Sequence, residues 1–287
     1  MSLPLLRDVL RHAVARLTEA GVDSPRLSSR LLAGKALGLD QVHLITESDR
    51  PLTPEEMHSL EALILRRAAG EPVAYILGEK EFYGLSFQVS PAVLIPRPET
   101  EQIVELAEAH FISGEPFRFL DLGTGSGALA VTLATRFPKS RGMALDISAA
   151  ALDVARENSR RHCVEDRVQF LLSDFCSTLP GAPVDLIVAN PPYISPEEYA
   201  GLDREVADFE PRLALESGRR GLAHAAALAP RAAEALRAGG ILLLEMGCTQ
   251  GMDMQGIFSE PSLRFEEVRV LQDLAGLDRV LLARKSS

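Results

Sequence analysis

The sequence predicts an α/β protein in which a doubly wound, mostly parallel sheet with an antiparallel edge follows a small helical N-terminal domain. Three observations carry that prediction. From Phe117 onward, short apolar runs alternate with helical patterns, the signature of repeated β-α-β units. Before about residue 75 the apolar residues recur at helical spacing instead. The last two apolar runs, near Phe265–Leu271 and Arg279–Leu282, lack a convincing helix between them, so they read as a terminal hairpin and an antiparallel edge. The expected division is a helical domain over residues 1–74, a β-hairpin and linker over 75–98, and the α/β domain over 99–287.

In the N-terminal part, Leu6, Val9, Leu10, Ala13 and Leu17 form an apolar stripe that ends near Gly21. A second helix starts with Ser24 as cap and Pro25 at the first helical position, and is expected to bury Leu27, Leu31 and Leu32 before Gly38. The clearest start signal is Thr53-Pro54-Glu55-Glu56, a capping box followed by Met57, Leu60, Leu63 and Ile64 and a stop at Gly70. His12, His43 and His58 lie among these helices and read as surface or packing residues rather than ligands. From about Tyr75 to Val89 the pattern turns β-like, and Phe82–Leu85 with Phe87–Val89 suggests a hairpin. Next, Leu94-Ile95-Pro96-Arg97-Pro98 is held extended by its two prolines until a helix begins at about Glu99; it serves as a stiff linker or as a loop lining a site.

The first strand of the α/β part, Phe117–Leu122, runs into Asp121-Leu122-Gly123-Thr124-Gly125-Ser126-Gly127. Its glycines permit a tight turn and close approach of a ligand at the start of a helix over about Ser126–Arg136. The spacing is G-x-G-x-G. It lacks both the G-x-G-x-x-G of dinucleotide sites and the Gly-Lys-Ser/Thr of the P-loop, which argues against NAD and ATP. A strand over Gly142–Leu145 ends at Asp146, where a carboxylate can accept two hydrogen bonds from ribose hydroxyls. After a helix over about Ser148–His162 and a strand over Val168–Leu172 comes Ser173-Asp174-Phe175. An acid followed by an aromatic there can hold an adenine by its amine and by stacking; the plainer reading is a capped turn with a core Phe.

The stretch Asp185-Leu-Ile-Val-Ala-Asn190-Pro191-Pro192-Tyr193 is a buried strand that stops in a rigid polar loop, because two prolines cannot continue a sheet. At the carboxyl end of a parallel strand, Asn190 and Tyr193 are site candidates. Beyond Tyr193 a long loop is expected, holding Tyr199, Glu205, Phe209 and Glu210-Pro211-Arg212, and its length marks it as functional. A helix from about Gly221 to Leu236 and a strand over Ile241–Leu244 complete the alternation.

Composition narrows the function. The net charge of -10 argues against a naked polyphosphate as main partner. The three cysteines, Cys163, Cys176 and Cys248, form no C-x-x-C, which supports neither a disulfide framework nor a zinc site and fits a reducing cytoplasm. No metal site is expected. The first residues lack an apolar signal region and no run is long enough to span a bilayer, so neither export nor a membrane is expected.

Taken together, these motifs resemble the class I S-adenosylmethionine methyltransferases and, more narrowly, the HemK/PrmC family, which methylates the glutamine of the Gly-Gly-Gln motif in peptide chain release factors. The resemblance rests on the helical N-terminal domain, Ile95-Pro96-Arg97-Pro98-Glu99-Thr100-Glu101, the Asp121–Gly127 turn, Asn190-Pro191-Pro192-Tyr193, Glu210-Pro211-Arg212 and the closing Asp273–Arg279. It implies a Rossmann-like class I fold, S-adenosyl-L-methionine as methyl donor with S-adenosyl-L-homocysteine as product, and release factors as protein substrates. By the same resemblance Gly123, Thr124, Gly125, Ser126 and Gly127 pass the methionine part, Asp146 faces the ribose and Phe175 the adenine, with Asp121, Asp174 and Asn190 also among the cofactor-binding residues. Asn190, Pro191, Pro192 and Tyr193 are expected to hold the glutamine, with Arg97 lining the substrate site and Asn190, Pro191 and Tyr193 carrying the catalysis. A monomer is expected. Three alternatives stay open: a glutamine of a ribosomal protein, a nucleic-acid base amine, or a module that binds the cofactor without catalysis.

Overall fold

The computed structural model describes residues 3–177, 179, 183–218 and 220–287. The chain divides into two compact units, one of residues 1–79 with 203–209 and one of residues 80–202 with 210–287.

The first unit is helical. Its main helices are α1 (Leu6–Glu19), α2 (Pro25–Leu37), α3 (Gln41–Thr46), α4 (Pro54–Ala68) and α5 (Val73–Leu77). Leu6, Leu17, Leu32, Leu60 and Ile64 are buried together in one core. The capping box of α4 forms as predicted: Glu56 N–H donates to Thr53 Oγ1 at 3.3 Å, and Thr53 N–H donates to the Glu56 carboxylate at 2.9 Å. Leu27 corrects the reading of α2, since it is 57% exposed. The inward face is set by Ser28, Ser29, Leu32 and Ala33, four residues apart in pairs, and Leu27 lies off that stripe. Ser24 occupies the cap position but makes no side-chain cap bond. Tyr75 belongs to α5 and not to a β-like piece. A helix of five or six residues gives too little periodicity to be read, which is why α3 and α5 escaped detection. Within this unit Arg67 donates to Glu71 O at 2.9 Å and to Glu205 Oε2 at 2.6 Å, tying in the short helix Arg204–Phe209.

At the start of the second unit comes a hairpin of β1 (Glu79–Phe82), whose first residue still belongs to the first unit, and β2 (Leu85–Gln88). Tyr83 (φ 50°) and Gly84 (φ 77°) are both left-handed, as a two-residue type I′ turn requires. The main sheet has seven strands: β3 (Arg118–Leu122), β4 (Arg141–Asp146), β5 (Val168–Leu172), β6 (Val184–Ala189), β7 (Leu236–Glu245), β8 (Phe265–Gln272) and β9 (Asp278–Lys285). Their spatial order is β5-β4-β3-β6-β7-β9-β8. The first five in that order are parallel, while β9 runs antiparallel to both β7 and β8. This is the doubly wound sheet with an antiparallel edge that the alternation predicts. The last strand, β9, inserts between β7 and β8, and a helix, Gly251–Phe258, links β7 to β8.

Alternate residues of the central strands feed two cores. Phe119, Leu186 and Leu243 face helices Glu101–His110 and Ala128–Arg136, while Leu120, Ile187 and Leu242 face helices Ala223–Ala235 and Gly251–Phe258. Gly142 in β4 is a packing requirement, because a Cβ there would lie 2.1 Å from the Phe119 ring. Among the described residues no helix is long and apolar enough to cross a membrane. The segment after Tyr193 is not structureless, since it contains helix Pro196–Tyr199 as well as Arg204–Phe209.

Candidate active site

β4 continues from β3 on one side of the sheet and β6 lies on the other, so strand order reverses between β3 and β6. Their carboxyl ends open a crevice where ligands of such sheets bind. The turn after β3 forms one wall. Gly123 (φ 73°), Gly125 (φ 55°) and Gly127 (φ 82°) are all left-handed, and a Cβ on Gly127 would press on Ala155 Cβ at 3.2 Å. Asp121 lies beneath the turn, 1% exposed, where its Oδ2 accepts from Thr124 Oγ1 at 2.6 Å and from Ala130 N–H at 3.0 Å. Its Oδ1 is buried with no hydrogen-bond partner among the described residues. Burial pushes the Asp121 carboxyl up to about 7 despite those two donors.

Asp146, at the end of β4, accepts from Gly125 N–H and from Ser148 N–H, each at 2.9 Å. One bond on each oxygen leaves lone pairs toward the cavity it lines. Burial raises its pKa. Asp174 accepts from Cys176 N–H at 2.9 Å and Ser177 Oγ at 2.7 Å, and these donors lower its pKa. Phe175 is 8% exposed. It belongs to a core, as the plainer reading of this turn expects, and it also lines the cavity beside Gly123.

The other wall comes from β6 and the Ile95–Thr100 segment. Asn190 and Pro192 line the same cavity as Gly123–Ser126, Asp146, Asp174 and Phe175. Asn190 Nδ2 donates to Thr100 Oγ1 at 3.1 Å, and Thr100 Oγ1 donates to Glu245 Oε2 at 2.6 Å. Pro191 is buried and Tyr193 half-buried, and neither lines this cavity, nor does Asp121. The Tyr193 hydroxyl donates to Glu245 Oε1 at 3.4 Å, and burial raises its pKa. Arg97 lines the cavity with its guanidinium engaged by Glu210. The structure thus gathers most of the predicted residues around one crevice, while Asp121, Gly127, Pro191 and Tyr193 do not line it.

Residues 8–78 match the PrmC N-terminal domain family and residues 105–205 the methyltransferase small domain family. The "Release factor glutamine methyltransferase" of Nitratidesulfovibrio vulgaris is 50% identical over 282 residues, 98% of this chain and 95% of its own. The protein of the same name from Chlorobaculum tepidum is 41% identical over 283 residues, 96% of this chain and 95% of its own. The chain belongs to the release factor glutamine methyltransferase family. A solved methyltransferase from Pyrococcus furiosus, 19% identical, shares the fold with a TM-score of 0.54 over 79% of this chain and 98% of its own.

Several residues of this family member escaped the sequence reading. Glu245 is the most informative. It follows the apolar run Ile241–Leu244 at the end of β7, and Leu244 pairs with Ala189, so Glu245 stands beside Asn190. A polar residue at the carboxyl end of a parallel strand is the signal that singled out Asp146 and Asn190, and it applies equally here. Glu245 is 1% exposed, and burial pushes it up to about 7. Gln250 donates to Tyr193 O at 2.8 Å and accepts from Gly247 N–H at 2.9 Å, fixing the chain after the prolines. His224 lines the cavity with Nδ1 2.8 Å from Ser217 Oγ, and burial lowers its pKa. Neither residue stands in a motif, so no sequence signal marks it.

Proposed function

We propose that this enzyme transfers the methyl group of S-adenosyl-L-methionine to the side-chain amide nitrogen (N5) of the glutamine in the Gly-Gly-Gln motif of peptide chain release factors. The observation that carries the reading is that Asn190 shares one cavity with the glycine turn and Asp146. A planar-nitrogen holder there stands next to a nucleoside holder.

The residues present suit the methyl donor. The left-handed turn Gly123–Gly127, with Thr124 and Ser126, offers backbone at close range for the methionine part. Asp146 keeps acceptors for ribose hydroxyls, and Asp174 and Phe175 offer an acceptor and a ring for adenine, while Asp121 beneath the turn holds it through Thr124 and Ala130. Bound there, S-adenosylmethionine supplies an electrophilic methyl on a sulfonium and is left as S-adenosyl-L-homocysteine.

The protein's task is orientation. An amide nitrogen is a poor nucleophile because its lone pair is delocalised into the carbonyl. The Asn190 side-chain oxygen and the Pro191 carbonyl accept the two N–H bonds of the glutamine and turn its lone pair toward the methyl. Pro192 and Tyr193 bound the amide plane, with the Tyr193 hydroxyl anchored on Glu245. Arg97, paired to Glu210, forms a fixed part of the wall. Rate enhancement of this kind comes from alignment and preorganised dipoles. No strong base is needed before transfer, since the methylated amide is acidic enough to lose its proton to water. The helical unit of residues 1–79 serves to recognise the protein partner.

The test is to incubate the enzyme with labelled S-adenosylmethionine and, separately, a release factor, ribosomal protein and nucleic acid. Label on the release factor that disappears when its Gly-Gly-Gln glutamine is replaced supports the reading. Label on nucleic acid or ribosomal protein alone overturns it.

A further inference from the structure

An asparagine amide has two chemically opposite ends of nearly the same shape. To hold a substrate N–H, Asn190 must present its oxygen, and an amide turned over by half a rotation would present two donors instead. The neighbours decide which end faces inward. Thr100 Oγ1 carries one hydrogen, and it is given to Glu245 Oε2 at 2.6 Å. An ionised carboxylate has acceptors only, so that hydrogen is committed. Thr100 can then meet Asn190 only as an acceptor, and only Nδ2 can supply the donor, at 3.1 Å. Turning the amide over would set two lone-pair oxygens against each other and leave the Thr100 acceptor unpaired.

We propose that Thr100 and Glu245 are positioning residues that lock the Asn190 amide with its oxygen toward the substrate nitrogen. The proposal rests on the reading above in which Asn190 holds the substrate amide. The fold supplies the lock. Parallel pairing of β6 and β7 sets Ala189 against Leu244, which brings the next residues, Asn190 and Glu245, side by side. Glu245 does not line the cavity, so its effect passes through Thr100. Its second oxygen takes the Tyr193 hydroxyl at 3.4 Å, so one buried carboxylate ties down two residues of the Asn-Pro-Pro-Tyr loop. Burial, with the charge of Glu99, holds its pKa up at about 7 against the Thr100 and Tyr193 donors and the positive charge of Arg279, so above that pH it is ionised and acceptor-only.

The experiment compares wild type with Thr100→Val, Thr100→Ser and Glu245→Leu in steady-state methylation of a release factor at about pH 8, above the raised pKa of Glu245. S-adenosylmethionine Kd and melting temperature are measured alongside. Thr100→Val keeps the volume and loses the hydroxyl, so kcat falls about tenfold or more while KM for the release factor and the cofactor Kd stay within about threefold. Thr100→Ser restores the relay and returns kcat to within about threefold of wild type. Glu245→Leu frees the Thr100 hydrogen and is expected to lower kcat as Thr100→Val does, a second check should the valine variant fold poorly. Near-wild-type kcat in Thr100→Val or Glu245→Leu overturns the proposal, as does a serine variant as slow as the valine one. A wild-type enzyme that leaves the release factor unlabelled overturns the underlying reading, and this one with it.

Discussion

Arg97 donates to Glu210 Oε1 at 2.5 Å, while Oε2 of the same carboxylate accepts the Ile95 N–H at 3.1 Å. One glutamate therefore clamps the Ile-Pro-Arg-Pro segment by side chain and backbone. The glutamate side chain is 1% exposed and the arginine 32%, so the pair is partly screened from water on one side only. Glu210→Ala leaves a buried N–H and a half-buried guanidinium without their acceptor. The expected loss is about 2 kcal/mol, read as a lower urea midpoint at unchanged slope. An unchanged midpoint would show that the clamp contributes nothing.

Asp146 is bonded by the turn it faces. Its two backbone donors hold the carboxylate beside Gly125, with lone pairs left over for the ribose proposed to bind there. Asp146→Ala removes the acceptors and loosens the turn together. Calorimetry should show S-adenosylmethionine binding weakened by about tenfold or more, the effect of losing hydrogen bonds to a charged group. Binding within about twofold of wild type would place the ribose elsewhere.

Asp121 links the turn to a pH effect. Its folded pKa of about 7 lies above the ordinary carboxylate value of 3.8. Across that window the folded protein keeps a proton that the unfolded chain has released, so unfolding releases a proton and stability falls as pH rises. Glu245, also raised to about 7, acts in the same direction. Asp121→Asn keeps an acceptor for Thr124 and Ala130 but cannot ionise. Urea unfolding between about pH 5 and pH 7.5 should therefore show a smaller decline in the variant than in wild type. Equal declines would mean that Asp121 is not the group that titrates.

Much of this architecture is legible in the chain because parallel strands buried on both faces and Gly-rich turns leave strong local patterns. The runs Leu120–Leu122 and Leu186–Ala189 lie within sheet strands, and their ends mark the crevice. What escaped has a physical reason in each case. Leu27 looks like a core residue by type, yet the two small serines beside it face inward. Thr100 and Glu245 lie 145 residues apart, and only the adjacency of β6 and β7 brings the glutamate to the asparagine. Tyr193 reads as a residue facing the site, but its hydroxyl turns back to the buried carboxylate. Local pattern thus identifies which residues stand at strand ends, and tertiary pairing decides what each one touches.

The role proposed for Asn190 is to hold the nitrogen that is methylated, without being needed to hold the methyl donor. Asn190→Ala assayed with labelled S-adenosylmethionine and a release factor, with cofactor affinity measured on the same sample, tests it most directly. Turnover is expected to be nearly abolished while cofactor Kd stays within a few-fold of wild type. Wild-type-like turnover in that variant would contradict it.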